Sequence, residues 1–231
     1  MLKNSRLLIL PSIVLVAFFS LPKPEVNATQ KNTTSLFDGL SIFDTTDKVS
    51  SLKLRKIKST AQRYVAAVDV FRTRFNEYPG DIKTASMFGL NGGNGNGDGK
   101  ITGNETIMFW KHLVESNIIM NFQTGKTKSP NNSDIVVGFD VPEIDGRDNV
   151  GYFVGYYTDG EHSGNGIALA TKLPDGNLSG AFTPKEAKAI NPAPDKHVIT
   201  INEPNSKDCI ADSQYNLASN KKSCILIYWI N

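Results

Sequence analysis

The sharpest chemical motif in the sequence is an oxygen-rich loop that ends in a glutamate. Its candidate ligands are the side chains of Asn94, Asn96, Asp98 and Glu105 and the backbone carbonyl of Lys100. This spacing is typical of an EF-hand-type calcium loop, in which oxygens at positions one, three, five, seven and twelve surround the ion. Gly99 at the sixth position allows the tight turn that such a loop requires. The motif therefore indicates a calcium site.

Only two of these candidate ligands, Asp98 and Glu105, carry charge, and Asn94 stands where an aspartate is usual. Because fewer carboxylates give lower affinity, we expect a weak site, with a dissociation constant of roughly millimolar to tens of micromolar. The alternative is a flexible Gly/Asn turn before a helix, in which Glu105 only complements the positive end of that helix.

The sequence contains no clear catalytic motif, and we do not expect an enzyme. The histidines at 112, 162 and 197 are scattered without the spacing of metal ligands, and His112 is expected to pack or to face solvent. Glu161, His162 and Ser163 are adjacent, but neighbouring side chains on a loop rarely converge on one substrate. A hydrolase that uses Glu161 and His162 is a distant alternative.

The strongest periodic signal predicts a long helix from Leu54 to Tyr78, which Pro79 and Gly80 would end. Apolar residues recur there at alternating spacings of three and four, as expected of one face of a helix packed on a sheet. A coiled-coil partner for this face is the minority interpretation.

Elements of both kinds follow the long helix. A second helix is predicted from Asn104, which would cap it, to Met120, and the Thr-x-x-Glu capping box at Thr183 predicts a brief helix to Ile190. Strands are predicted at Ile135–Val141, Val150–Thr158, Gly166–Leu173, Val198–Ile201 and Cys224–Ile230. This order of helices and then strands predicts an α+β fold with an antiparallel sheet.

The N-terminal segment has the layout of a signal peptide. A basic start precedes an apolar run from Leu7 to Leu21, which is shorter than the roughly 20 residues of a typical membrane span. We expect cleavage after Ala28, and the alternative is an uncleaved anchor that contacts the membrane through residues 7–21. Residues 29–47 are predicted to be a flexible leader, and residues 48–231 a single globular domain.

Charge and cysteine content limit the expected partners and compartment. Removal of residues 1–28 leaves 22 basic and 22 acidic residues, with no basic stripe, so nucleic-acid binding is not expected. Downstream of an export signal, Cys209 and Cys224 predict one disulfide, which would contribute about 3 kcal/mol in the chain-entropy model. Two separate buried thiols are the alternative.

Several segments together resemble the pilin and pseudopilin family of type IV pili and type II secretion systems. They are AAVDVFRTRFNEYPGDI (Ala66–Ile82), NGNGDGKI (Asn94–Ile101), FWKHL (Phe109–Leu113), FTPKEAKAI (Phe182–Ile190), and Cys209 and Cys224 with Tyr215 between them. The resemblance covers roughly residues 50–231. It implies a long N-terminal helix packed on an antiparallel sheet, with a Gly/Asn-rich loop and a second helix between them.

The resemblance also implies a role. It is that of a non-catalytic structural or interaction subunit of a pilus-like or secretion-like assembly, exported to the periplasm or cell surface, whose partners are other protein subunits. In the family, the apolar half of the long helix begins directly after a processed glycine. Here about thirty polar residues separate the apolar run from the helix. The alternative is therefore a soluble, exported, calcium-dependent binding module or adhesin with a pilin-like fold.

Overall fold

The computed structural model describes residues 43–128, 134–158, 162–192, 198–202 and 206–230, with side chains from residue 50 onward. The predicted signal peptide, with its apolar run, and residues 29–42 of the predicted leader lie outside the described residues. Within the described part of the chain, no helix is both long and apolar enough to cross a membrane.

The described elements are three helices, a 3₁₀ turn and seven strands. The helices are α1 (Phe43–Phe75), α2 (Glu105–Glu115) and α3 (Pro184–Ile190), and the 3₁₀ turn is Ala85–Phe88. The strands are β1 (Val150–Thr158), β2 (Ser163–Lys172), β3 (Leu178–Ser179), β4 (Val198–Asn202), β5 (Ile210–Ala211), β6 (Gln214–Tyr215) and β7 (Cys224–Trp229).

The main sheet has the order β1-β2-β7-β4, with β3 beside β2, and all of its pairs are antiparallel. Its register aligns Leu169 of β2 with Tyr152 of β1 and with Leu226 of β7. A separate short hairpin joins β5 and β6. The prediction of an α+β fold with an antiparallel sheet is confirmed.

The core lies between the sheet and the helices. The apolar face of α1 is buried along the helix, at Leu54, Ile57, Ala61, Val68 and Phe71. The helix packs against α3, α2 and the central strand β7. Half-buried Tyr64 of α1 makes edge-to-face contacts with Trp110 of α2 and Tyr152 of β1, a geometry that aromatic pairs prefer.

Two helices end earlier than predicted, each within two residues of an asparagine in the left-handed region. Helix α1 stops at Phe75, because Asn76 has φ 58°, and not at Tyr78. Helix α2 stops at Glu115 and not at Met120, with Asn117 at φ 57°. Asparagine adopts this conformation more readily than other non-glycine residues, so it ends a helix as glycine does. Helix α1 also begins at Phe43, within the predicted leader.

The predicted strand Ile135–Val141 is wrong, because this segment forms a turn. Gly138 has φ +86°, and the Asp140 carboxylate accepts a hydrogen bond of 2.8 Å from the N–H of Val136. Only an isolated bridge joins Val137 to Val141. The chain reverses further on, between Glu143 and Gly151, which form an antiparallel bridge at the start of β1.

A disulfide joins Cys209 to Cys224, as predicted, with 5.1 Å between the Cα atoms. Both cysteines are buried. Cys224 begins β7 and exchanges backbone hydrogen bonds with Phe182, just before α3. The disulfide therefore holds the loop that carries the β5–β6 hairpin against the centre of the main sheet.

Candidate metal centre

The predicted calcium loop lies between the end of α1 and the start of α2, and a tight turn at Gly80 positions it. Gly80 has φ +86°, and a Cβ there would lie within 3.1–3.2 Å of the backbone of Phe109 in α2. A residue with a side chain would therefore be strained and would also collide with α2. This turn places the next residue, Asp81, against the loop backbone.

The backbone of the loop folds around the Asp81 carboxylate. It accepts backbone N–H bonds of 2.6 Å from Gly97, 3.2 Å from Asp98 and 2.8 Å from Gly99. Its side chain is almost fully buried, with 2% of the residue exposed. Three donors on one carboxylate compensate for part of the cost of removing its charge from water.

Glu105, the last residue of the motif and the first of α2, holds the loop from the other side. One carboxylate oxygen accepts the N–H of Asn96 at 2.9 Å, and the other accepts the N–H of Thr102 at 3.0 Å. Glu105 is buried at the positive end of α2, where a carboxylate is favoured. The predicted capping side chain of Asn104 makes no such bond.

Three carboxylates converge in this region. Asp81, Asp98 and Glu105 each offer an oxygen within 4.8 Å of the others. Asp98 is exposed, whereas the other two are buried, so the cluster opens to solvent on one side. Hard cations such as calcium prefer carboxylate oxygens. The arrangement could therefore hold a divalent cation with Asp98 at the mouth of the site.

The other predicted ligands differ in whether their side chains bond at the carboxylate cluster or outside it. The Asn94 side-chain oxygen accepts the N–H of Ser86 at 3.1 Å, in the 3₁₀ turn, so that oxygen bonds outside the carboxylate cluster. The Asn96 side chain bonds both the backbone and the carboxylate of Asp98, and the N–H of Lys100 bonds the same carboxylate at 2.8 Å. Asp81 supplies the third carboxylate, which the sequence motif lacked.

Burial, together with the nearby charges of Glu105 and Asp98, raises the pKa of Asp81 above its ordinary value, although the bonds from Gly99 and Gly97 lower it. The folded protein therefore disfavours the ionised form of Asp81. A bound divalent cation would favour the ionised form, because its positive charge would lie between the negative charges of the three carboxylates.

The sheet supports the loop through a buried asparagine that sequence reasoning missed. Asn165 of β2 accepts the N–H of Ile101 at 2.8 Å and donates to the carbonyl oxygen of Gly99 at 2.8 Å. Both partners belong to the motif. Because this contact spans more than sixty residues of sequence, no local pattern pointed to it.

His112 of α2 is a structural residue that bonds the same turn. Its Nδ1 accepts the N–H of Gly80 at 2.9 Å, and its Nε2 lies 2.8 Å from the carbonyl oxygen of Gly93, to which it must donate. These two bonds fix the neutral tautomer. Burial lowers the pKa of His112. Of the two expectations for His112, packing or facing solvent, the structure shows packing, because the residue is fully buried.

The distant hydrolase alternative rested on Glu161 and His162. Glu161 lies outside the described residues, and His162 is exposed beside the start of β2. Both imidazole nitrogens of the buried His112 are bonded to backbone groups.

Comparisons with protein-family models, with curated proteins and with solved structures find no match to this chain.

Proposed function

We propose that this chain is a non-catalytic structural or interaction subunit of a pilus-like or type II secretion-like assembly. The observation that carries the proposal is the packing of the long α1 on an antiparallel sheet, with the loop and α2 between them in sequence. This is the element order of the family that the sequence resembles. The chain would be exported, and its partners would be other protein subunits.

Exposed apolar side chains on the described surface support a role in protein contact. Val70 of α1 and Met120 after α2 are 55% and 90% exposed, and both line a groove between these elements. Arg63 and Arg74 line the same groove. Methionine and arginine are enriched in protein interfaces, and exposed apolar residues grouped in one place mark contact sites.

Photo-crosslinking in the native host tests this proposal. A photoreactive amino acid at Val70 or Met120 should give adducts with another subunit of a filament or secretion assembly, identified by mass spectrometry. The same amino acid at the exposed Lys207, outside the groove, is the matched control. Adducts to the same subunit from all three positions, or no adduct at the two groove positions, would contradict the proposal.

A calcium-dependent binding module is the second candidate, and the convergence of Asp81, Asp98 and Glu105 favours it. In this role the ion would fix the loop between α1 and α2 and thereby the surface around it. The cluster supplies three carboxylates where the motif alone offered two, so we expect an affinity near the stronger end of the predicted range, about tens of micromolar.

Calorimetric titration with calcium tests the second candidate. Asp81→Asn should weaken binding at least about tenfold, because it removes one of three carboxylates. Asn94→Ala, on the same loop, should leave the affinity within about twofold, since the Asn94 oxygen bonds Ser86. No heat of binding in the parent protein, or an equal loss in both variants, would rule out this site.

A further inference from the structure

The first half of α1 carries a dense group of positive charge that the neutral total conceals. Four basic residues fall within six consecutive positions: Lys53, Arg55, Lys56 and Lys58. We call these four residues, together with Leu52, the basic segment. Three of these basic side chains are exposed and Lys58 is half-buried. Asp44 and Asp47 are the acidic residues of this half of α1, residues 43–59, against five basic residues that include Lys48. The excess of basic residues makes the potential at this end of α1 positive.

Few of these charges are neutralised by the protein itself. Lys56 pairs with Asp145, and both side chains are largely exposed, at 67% and 76%, so the pair is weak. In the part of the chain that the structure describes, Lys53, Arg55 and Lys58 have no ion pair.

Acidic groups do lie near Lys53, but basic ones accompany them. Asp145, Asp148 and Glu186 line the same shallow cavity as Lys53, together with Arg147 and Lys222. Glu186 is engaged by Arg147 at 2.5 Å. Since Lys56 also pairs with Asp145, four bases meet three acids here, and one positive charge remains in excess beside those of Arg55 and Lys58.

An exposed apolar side chain stands within this positive region. Leu52 is 61% exposed and lies three and four positions before Arg55 and Lys56, on the same side of the helix. A single exposed leucine is common on protein surfaces, but one among lysines and arginines suits the boundary between lipid headgroups and acyl chains, where the basic side chains meet phosphates. A nucleic acid would match the charges but would leave Leu52 without an apolar partner.

We propose that the basic segment docks the protein onto an anionic phospholipid surface. The segment lies near the N-terminal end of α1, the end that leads back in sequence to the apolar run Leu7–Leu21. The membrane contact of the basic segment does not depend on that of the apolar run. A basic segment binds reversibly, and an apolar chain adds a second contact where it is retained. The inference is independent of whether the protein joins a pilus-like assembly.

Vesicle binding of the exported protein tests this inference. Each basic residue near an anionic surface strengthens binding about fivefold. We expect vesicles containing a quarter phosphatidylglycerol to bind the protein at least about a hundredfold more tightly than pure phosphatidylcholine at 50 mM salt. This preference should fall steeply at 500 mM salt, because screening shortens the range of the attraction.

The variant Lys53→Glu/Arg55→Glu/Lys58→Glu should lose the preference for anionic vesicles. Its matched control, Lys111→Glu/Lys185→Glu/Lys207→Glu, changes the net charge equally at exposed positions outside α1 and should keep most of it. Circular dichroism verifies that both remain folded. Equal binding to both vesicle types, an equal loss in both variants, or retention on duplex DNA without vesicle binding would overturn the proposal.

Discussion

Two regions of this protein are held together by different forces. The Gly/Asn-rich stretch at 91–100, between the buried Leu90 and Ile101, contains no buried apolar side chain. The side chains of Asp81, Glu105, His112 and Asn165 tie the backbone of this loop in place. The main sheet instead buries a continuous apolar layer, and a disulfide fixes its central strand. The loop should therefore respond to pH and cations, whereas the sheet should respond mainly to changes in packing.

The largest expected effect is in the sheet. Leu226 is fully buried in β7, between β2 and β4. Leu226→Ala should lower the free energy of unfolding by about 3–5 kcal/mol, because it removes apolar contacts and leaves a cavity. Urea denaturation at pH 5.5 and pH 8 measures this. A loss that differs by more than about 1 kcal/mol between the two pH values would contradict the assignment of this region to packing.

Removal of the disulfide should have the next largest effect. Cys209→Ala/Cys224→Ala frees a loop with a sequence separation of 15 residues, and the chain-entropy model gives a cost of about 3 kcal/mol. Urea denaturation of the double variant, beside the parent protein with and without reductant, measures it. If calcium affinity fell together with stability, the two regions would be coupled more closely than the comparison implies.

In the loop region, His112→Phe should cost about 2 kcal/mol at pH 8. The ring is retained, but the N–H of Gly80 and the carbonyl of Gly93 lose their partner. Burial lowers the pKa of His112 below 6.5, so the parent protein loses stability as the pH falls from about 6.5 toward the lower folded pKa. The variant lacks this loss.

The difference between His112→Phe and the parent protein should therefore shrink between pH 8 and pH 5, as measured by urea denaturation at each pH. Leu226→Ala serves as the control, because it removes no titrating group. A constant difference for His112→Phe across this range would show that the histidine does not titrate with unfolding.

The smallest expected effect concerns the contact between the two regions. Asn165→Ala should cost about 1–2 kcal/mol, because Ile101 and Gly99 of the loop lose a buried partner. Amide hydrogen exchange should rise in residues 94–105 and stay unchanged in β7. Faster exchange throughout the sheet would show that the loop also stabilises the sheet, against the separation described above.

Local patterns in the sequence were sufficient for elements that neighbouring residues specify. The apolar spacing in α1 predicted its buried face, and the capping box at Thr183 is present, with Glu186 bonded to the N–H of Thr183 at 2.9 Å. Helix ends were less accurate, because Asn76 and Asn117 adopt the left-handed conformation. Asparagine permits that conformation without requiring it, so sequence alone did not fix it.

The sequence by itself determined the α+β class, the inner face of α1, the capping box and the cysteine pair, since each depends on periodicity or on a specific residue type. Only the tertiary structure decided that Asp81 joins Asp98 and Glu105, since the turn at Gly80 must fold back under the loop before these carboxylates can meet. It likewise decided which charges of α1 remain unpaired. Both depend on contacts between segments distant in sequence, which no local spacing specifies.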